Sequence, residues 1–164
     1  MHSQDAAADP FEQIERVILR IGWLGQRQFM QLLAEVRFDL TIPQFHTLLH
    51  LSHCATECKM SDLARATHQS AASLTGVVDR LLEKRLVARG RPDGDRRQVV
   101  VSATDRGRAL LHAIKQTRRA EIQAALSHIP ASEVSELLRL LEAVLAGMRE
   151  IVELHERGEA RNHV

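Results

Sequence analysis

Residues 59–107 are the part of this sequence that most narrows what the chain can fold into. The segment reads as a short helix, a turn, a longer helix and a β-hairpin, in that order. Leu74, Val78 and Leu81 recur at helical spacing, which predicts that the longer helix buries one face. Ser70 precedes this helix and is a suitable N-cap, because its hydroxyl can accept a hydrogen bond from an N–H group of the first turn.

The opposite face of the longer helix carries small, neutral side chains, some of them hydroxylated. These residues are Ala71, Ala72, Ser73, Thr75 and Gly76. A helix face that meets only water usually carries longer charged side chains, whereas a small face permits close approach to a partner. The major groove of DNA admits an α-helix, so DNA is the leading candidate for that partner.

The hairpin collects arginines around its tip. The sequence Pro92-Asp93-Gly94-Asp95 predicts a turn, and the arginines beside it are Arg89, Arg91, Arg96 and Arg97. Like charges repel at such distances unless an anion neutralises them, and DNA phosphates or a narrow minor groove would do so. The chain as a whole has a net charge of only +1, but residues 59–108 hold 11 Lys and Arg against 6 Asp and Glu.

Together these residues resemble the winged helix-turn-helix of the MarR family of bacterial transcriptional regulators. The matching residues are Leu63-Ala64, Val77-Val78-Asp79-Arg80-Leu81, Leu86-Val87, Arg89, Asp95-Arg96-Arg97 and Thr104-Asp105-Arg106-Gly107. The resemblance implies a mainly α fold, with a winged helix-turn-helix, a small β-hairpin wing and long N- and C-terminal dimerisation helices.

Two positions depart from the family pattern. Arg85 stands where the family usually has a glycine that ends the recognition helix, so a left-handed backbone with a strain of about 1 kcal/mol is expected there. Lys59 replaces the usual hydroxyl cap of the preceding helix. Neither residue is expected to face the groove.

Apolar periodicity predicts long helices on both sides of this region. We expect a disordered tail over residues 1–10, one helix over 11–38, another from Thr41 to Ser52, a third from Thr104 to about Ser127, and a last one from about Ser132. The last helix has apolar residues at alternating spacings of four and three. They are Val134, Leu138, Leu141, Leu145, Met148 and Val152. Such a seam favours a partner helix, so residues 11–40 and 108–160 are assigned to dimerisation and 41–107 to DNA binding.

Residues 46–58 contain three histidines and two cysteines. His46, His50 and Cys54 lie four residues apart, so they can share a helix face and, with Cys58 as the fourth candidate ligand, bind a transition metal. Cys54 and Cys58 can instead respond to oxidants. In the preferred interpretation, the histidines face the dimer cleft, Cys54 is a small buried residue and Cys58 lies in a short edge strand. No metal or cofactor is then expected.

The family resemblance also implies a small, often aromatic or anionic effector between the dimerisation helices and the DNA-binding region. Trp23, His46 and His50 are the candidates for that pocket, although Trp23 is also suited to the core. We therefore expect a homodimeric, sequence-specific repressor that binds a pseudo-palindromic operator of double-stranded DNA and is relieved by the effector. Two recognition helices would enter successive major grooves roughly 34 Å apart.

The expected DNA contacts lie on the recognition helix and the wing, and Asp95 is expected to orient an arginine. The residues are Gln69, Ser70, Ala71, Ala72, Ser73, Thr75, Gly76, Arg80, Arg91, Asp95, Arg96 and Arg97. Two alternatives remain open. One is a metal- or thiol-responsive regulator that uses residues 46–58, and the other is a winged-helix adaptor that binds protein.

Several classes of protein fit poorly. No apolar run approaches the roughly 18 residues of a membrane span, and the start of the sequence lacks a signal-peptide pattern, so a cytoplasmic protein is expected. Two cysteines in 164 residues do not make a disulfide scaffold. A glycine-rich phosphate loop, a zinc-protease motif and a nucleophile elbow are all missing from the sequence, so an enzyme is not expected.

Overall fold

The structure, a computed structural model, describes residues 9–54, 57–90 and 99–162, with side chains as far as residue 155. The helices are α1 (Pro10–Ala34), α2 (Ile42–His53), α3 (Met60–Ala66), α4 (Ala71–Glu83), α5 (Asp105–Ala125) and α6 (Ala131–Asn162), and the strands are β1 (Cys58–Lys59), β2 (Val87–Gly90) and β3 (Val100–Ala103). The chain divides into one compact unit that ends at Arg118 and a second that starts at Arg119. The expected mainly α fold with a small β wing is confirmed.

The start of α1 falls inside the predicted tail. The Asp9 carboxylate accepts a hydrogen bond from the Phe11 N–H at 3.0 Å and caps the helix, so the helix begins at Pro10. Residues 1–8, the rest of that predicted tail, lie outside the described residues.

The end of α1 differs from the prediction. The helix stops at Ala34 rather than at residue 38. The Leu40 N–H donates to the Leu33 carbonyl at 2.8 Å, and this turn carries Phe38 and Leu40 into the core, where each is 5% exposed. Periodicity alone placed Phe38 on the helix because a buried aromatic residue looks the same in a helix and in a compact turn.

The hydrophobic core lies in the first unit and is built mainly from leucine and valine. Leu74, Val78 and Leu81 of α4 are fully buried in it, which confirms the predicted apolar face of that helix. The other main members are Leu32, Leu33, Phe38, Leu40, Leu48, Leu51, Leu63, Leu86, Val87, Val101 and Ile114. The last turn of α1 therefore belongs to this core.

The sheet has three antiparallel strands in the order β1-β3-β2. Strand β3 pairs Ala103 with Val87 of β2 and Val101 with Cys58 of β1. The prediction that Cys58 lies in a short edge strand is confirmed. The return strand was predicted to start at Arg96, but residues 91–98 lie outside the described residues, and the described strand starts at Val100.

Thr104 caps α5 as predicted, because its hydroxyl oxygen accepts a hydrogen bond from the Gly107 N–H at 3.1 Å. Helix α6 lies in the second unit, and its predicted seam is largely exposed within the chain. Leu138, Leu141, Leu145 and Met148 are each about half exposed. Among the described helices, none has the length and hydropathy that crossing a membrane would require.

Candidate nucleic-acid interface

Helix α4 presents the small, neutral face that the sequence predicts. The Ser70 hydroxyl accepts a hydrogen bond from the Ser73 N–H at 3.2 Å, which confirms Ser70 as the N-cap. The residues of the small face are all exposed: Ala71, Ala72, Ser73, Thr75 and Gly76. A Cβ atom added at Gly76 would meet nothing within 4 Å in the described part of the chain. This face is thus open for the close approach of a partner.

Gln69 was also predicted to contact DNA, but its side chain points towards α2. Its side-chain amide donates from Nε2 to the hydroxyl oxygen of buried Thr47 at 2.9 Å. Its Oε1 atom is buried and has no hydrogen-bond partner among the described residues. The Gln69 amide therefore joins α2 to the turn before α4. The sequence had predicted a contact with DNA instead.

The cations beside α4 are paired with neighbouring carboxylates. Arg80 contacts Glu83 at 2.9 Å, and Arg89 of β2 contacts Asp79 of α4 at 2.9 Å. All four side chains are at least 40% exposed, and such pairs contribute little in water. A phosphate can therefore compete for these guanidinium groups at small cost. The wing residues Arg91, Asp95, Arg96 and Arg97 lie outside the described residues.

The backbone at Arg85 ends α4 in the left-handed conformation, with a φ of 57°. The Arg85 N–H donates to the Leu82 carbonyl and the Leu86 N–H to the Leu81 carbonyl, both at 2.9 Å. This pattern is a Schellman motif, in which the left-handed residue is usually glycine. The expected strain at Arg85 therefore has a structural basis. Lys59 is the second position that departs from the family pattern. Its side chain makes no capping hydrogen bond in the described structure.

A cavity of about 440 Å³ opens between α1, α2 and α5 within the first unit. Its apolar part includes Phe29 and Phe45, whose rings meet edge to face at a centroid distance of 4.9 Å. The Arg118 guanidinium lies 4.7 Å from the centre of the Phe29 ring. The remaining lining residues are Leu49, Ser52, His53, Leu111, His112, Ile114 and Lys115. An aromatic wall next to the cationic Lys115 and Arg118 side chains suits a flat organic anion.

The residues predicted for the effector pocket do not line this cavity. Trp23 is 60% exposed on α1. His46 and His50 line a separate cavity of about 220 Å³, together with His53 and His68. The residues around the larger cavity come from three helices far apart in sequence, and no local pattern joins them.

Three of the four candidate metal ligands come together. A ring nitrogen of His50 and the Sγ atoms of Cys54 and Cys58 all lie within 4.8 Å of one another, and each residue is half-buried. His46 is not part of this group. The group lies where α2 ends and β1 begins, and we call it the His50–Cys54–Cys58 cluster.

The pKa of one thiol in this cluster, that of Cys58, is raised. Burial is the main reason that the pKa of Cys58 rises to about 11, and its neighbour Cys54 raises that pKa further. The thiolate is the form that attacks oxidants, so a raised pKa slows that reaction. The raised pKa therefore makes Cys58 a poorer candidate for an oxidant sensor than the sequence alone suggested.

Comparisons with known proteins agree with this architecture. The HTH-type transcriptional repressor NicR of Pseudomonas putida is 27% identical over 140 residues, which span 83% of this chain and 86% of that protein. RV1404 from Mycobacterium tuberculosis has a TM-score of 0.69 at 27% identity, over 86% of this chain and 95% of that one. A mutant of MepR from S. aureus, solved bound to an oligodeoxyribonucleotide, shares the fold with a TM-score of 0.69 at 21% identity, over 82% and 97% of the two chains.

The sequence model of the MarR family matches residues 38–98. That range runs from the turn before α2 into the wing, and so contains the whole helix-turn-helix. The structure adds the exposed small face of α4 and the three-stranded sheet that the fold requires. The helix-turn-helix region of this chain thus matches the MarR family, and NicR, which aligns with most of the chain, is named a transcriptional repressor.

Proposed function

We propose that this protein is a homodimeric repressor that reads a pseudo-palindromic operator with α4 and releases it when a small organic anion binds. The observation that carries the proposal is the exposed small face of α4, opposite a side that is fully buried. Side chains this short let the helix axis approach the floor of the major groove, where base edges can be contacted. NicR, a relative over most of the chain, is named a repressor, which favours repression over activation.

Ser70, Ser73 and Thr75 supply the polar groups of the proposed contact. The Thr75 hydroxyl donates to the Ala71 carbonyl at 2.8 Å, so its methyl group and both lone pairs of its oxygen are available to a base. Arg80 and the wing residues Arg91, Arg96 and Arg97 would hold phosphates or the minor groove, and Asp95 would orient one of these arginines. The phosphate contacts set the affinity and its salt dependence, and the helix sets the sequence preference.

The helix contact is tested by fluorescence anisotropy with duplexes tiled across the DNA upstream of the protein's own gene. Replacement of Ala72 by glutamate puts a carboxylate on the small face and should abolish specific binding through repulsion by phosphates. Ala113→Glu is the matched control, because Ala113 is an exposed alanine on α5. Equal binding by both variants would refute the assignment of α4.

The wing contact is tested by the salt dependence of the same binding. Arg97→Ala should weaken binding to specific and unrelated duplexes alike and lower the slope of log affinity against log salt by about 1. Arg139→Ala removes an equal charge from α6, where Arg139 pairs with Glu136 at 2.6 Å, and should leave the slope unchanged. An unchanged slope and affinity for Arg97→Ala would count against the wing.

We propose a dimer because α1 and α6 each expose an apolar face to solvent, which is energetically unfavourable. On α1, Val17, Ile21 and Leu24 are 53%, 62% and 46% exposed. On α6, the seam residues Leu141, Leu145 and Met148 remain about half exposed. Soluble monomers rarely leave such a periodic apolar face open, and a second copy of the chain with the same seams would cover it.

The dimer is tested by light scattering on the eluting protein. The wild-type mass should be twice that of the 18.4 kDa chain, and Leu145→Glu should shift it towards one chain. Leu140→Glu is the matched control, since Leu140 and Leu145 are each 48% exposed but only Leu145 lies on the seam. A wild-type monomer, or two variants of equal mass, would contradict the proposal.

The 440 Å³ cavity is the proposed effector site. Phe29 and Phe45 would stack against an aromatic ring, and Arg118 or Lys115 would bind its carboxylate. Benzoate and benzamide test this, because they share size and shape but only benzoate is charged. Benzoate should raise the melting temperature and release DNA at lower concentration than benzamide.

The matched variants for the effector site are Arg118→Gln and Arg119→Gln. Arg118 is half-buried beside Phe29, whereas Arg119 is exposed. Arg118→Gln should lose most of the preference for benzoate, and Arg119→Gln should keep it. Equal responses to both probes in the wild type would contradict an anion site in this cavity.

A further inference from the structure

We propose that His50, Cys54 and Cys58 form a three-ligand site for a thiophilic transition-metal ion, with Zn²⁺ as the representative. The site does not depend on the proposed DNA contact or on dimerisation, since all three residues lie in the first unit of one chain. What carries the proposal is that one nitrogen and two sulfur atoms lie within 4.8 Å of one another.

The backbone already holds the ligands close to coordination geometry. His50 and Cys54 are one helical turn apart, and Cys54 is the residue at the C-terminal end of α2. Cys58 returns to the same place because β1 is fixed against β3, with Cys58 opposite Val101. Two sulfurs bound to tetrahedral zinc lie about 3.8 Å apart. The three atoms lie within 4.8 Å of one another, so a contraction of about 1.3 Å at most would bring all of them onto one ion.

The donor set selects the class of metal. Thiolate and imidazole suit Zn²⁺ and other borderline or soft ions, whereas Mg²⁺ and Ca²⁺ require oxygen ligands. Two thiolates neutralise the double charge of the ion, so its burial at a half-buried site costs little. Three protein ligands leave the fourth tetrahedral position for water.

Binding exchanges weak thiol hydrogen bonds for metal bonds. Cys54 Sγ lies 3.5 Å from the His50 carbonyl oxygen, and Cys58 Sγ lies 3.8 Å from the Lys59 carbonyl oxygen. Each sulfur binds the ion as a thiolate, and any proton that it carries passes to the buffer when the metal bond forms. No oxidant or reductant takes part in this step.

The experiment uses the full chain, reduced, treated with a chelator and then desalted. Zinc is titrated against a chromophoric competitor, and Co²⁺ is added separately as a spectroscopic probe. We expect one zinc ion per chain, and a cobalt complex with thiolate charge-transfer absorption and intense visible bands of tetrahedral geometry. In weakly buffered solution, zinc binding to the reduced protein should be accompanied by proton release.

Three variants test the ligands: His50→Gln, Cys54→Ser and Cys58→Ser. Each should weaken zinc binding by more than about 100-fold, because loss of even an outer-shell partner costs 10–100-fold. His128→Gln is the matched control, since His128 is an exposed histidine in the turn after α5, outside the cluster. It should stay within about twofold of the wild type, as expected of a residue outside the coordination shell.

A second readout in the wild-type chain does not depend on how well a variant folds. Zinc should protect Cys54 and Cys58 from alkylation by N-ethylmaleimide, as followed by mass spectrometry. Equal alkylation with and without zinc would overturn the proposal. So would equal zinc affinity in Cys58→Ser and the wild type, or a cobalt spectrum without thiolate absorption.

Discussion

Replacement of Arg85 by glycine should make the protein more stable, although it removes a charged side chain and adds no contact. Arg85 occupies the left-handed region with a φ of 57°, and its side chain is exposed. For a residue with a Cβ atom, this conformation costs about 1–2 kcal/mol. Glycine avoids that cost, but it loses about 0.5–1 kcal/mol more than alanine on ordering from the unfolded chain. The difference favours the glycine variant by about 0.5–1 kcal/mol.

Arg85→Ala is the control that isolates the backbone effect. It removes the same charge from the C-terminal end of α4, where a cation interacts favourably with the helix dipole, but it keeps the Cβ atom. The free energy of unfolding of Arg85→Gly should therefore exceed that of Arg85→Ala by the full backbone difference of about 0.5–1 kcal/mol. The two native hydrogen bonds of the motif, from Arg85 to Leu82 and from Leu86 to Leu81, involve only the backbone and should persist in both.

Urea unfolding followed by circular dichroism measures the effect. With a slope of about 2 kcal/mol per molar urea, the midpoint of Arg85→Gly should lie roughly 0.3–0.5 M above that of Arg85→Ala. Protein concentration must be equal, since the midpoint of a dimer depends on it. A glycine variant no more stable than the alanine variant would refute the strain that we assign to this position.

Three further outcomes follow from the structure. Gly107→Ala should lower the free energy of unfolding by about 1–3 kcal/mol, because the new Cβ atom would overlap the Leu86 carbonyl oxygen; an unchanged urea midpoint would contradict this. Thr47→Val should cost about 1–3 kcal/mol by leaving the Gln69 amide without its partner, and equal stability would show that water replaces it. Without metal, Cys58 should react with iodoacetamide more slowly at pH 8 than an ordinary cysteine and faster as the pH rises towards 11, since its pKa is raised to about 11; reaction at the ordinary rate would refute the raised pKa.

The sequence was most informative where one local signal decides the structure. Ser70 and Thr104 were predicted as caps from their position before an apolar period, and both side chains make the capping bond. The left-handed backbone at Arg85 was also predictable, because the family pattern places a glycine there. Each of these features depends on residues fewer than six positions apart, so a pattern in the chain can reveal it.

Features that depend on distant residues were predicted less well. The cavity joins Phe29, Phe45 and Arg118 from three helices, and nothing in the sequence near any one of them indicates the other two. The sequence predicts His46, His50, Cys54 and Cys58 as metal candidates, with the first three on one helix face. Helix α2 ends at His53, however, and the chain returns through β1, so Cys58 joins His50 and Cys54 whereas His46 does not.

Helix α2 connects the three sites that we propose. Phe45 lines the larger cavity, His50 belongs to the metal cluster, and Thr47 holds Gln69 in the turn before α4. Helix α2 is packed against α4 around the buried residues Leu48 and Leu74, and close-packed cores change by discrete shifts of whole elements rather than by continuous deformation. If effector and DNA bind as we propose, a ligand that binds one arrangement of α2 better than another would favour one placement of α4 as well, and DNA would change the affinity for that ligand by the same factor.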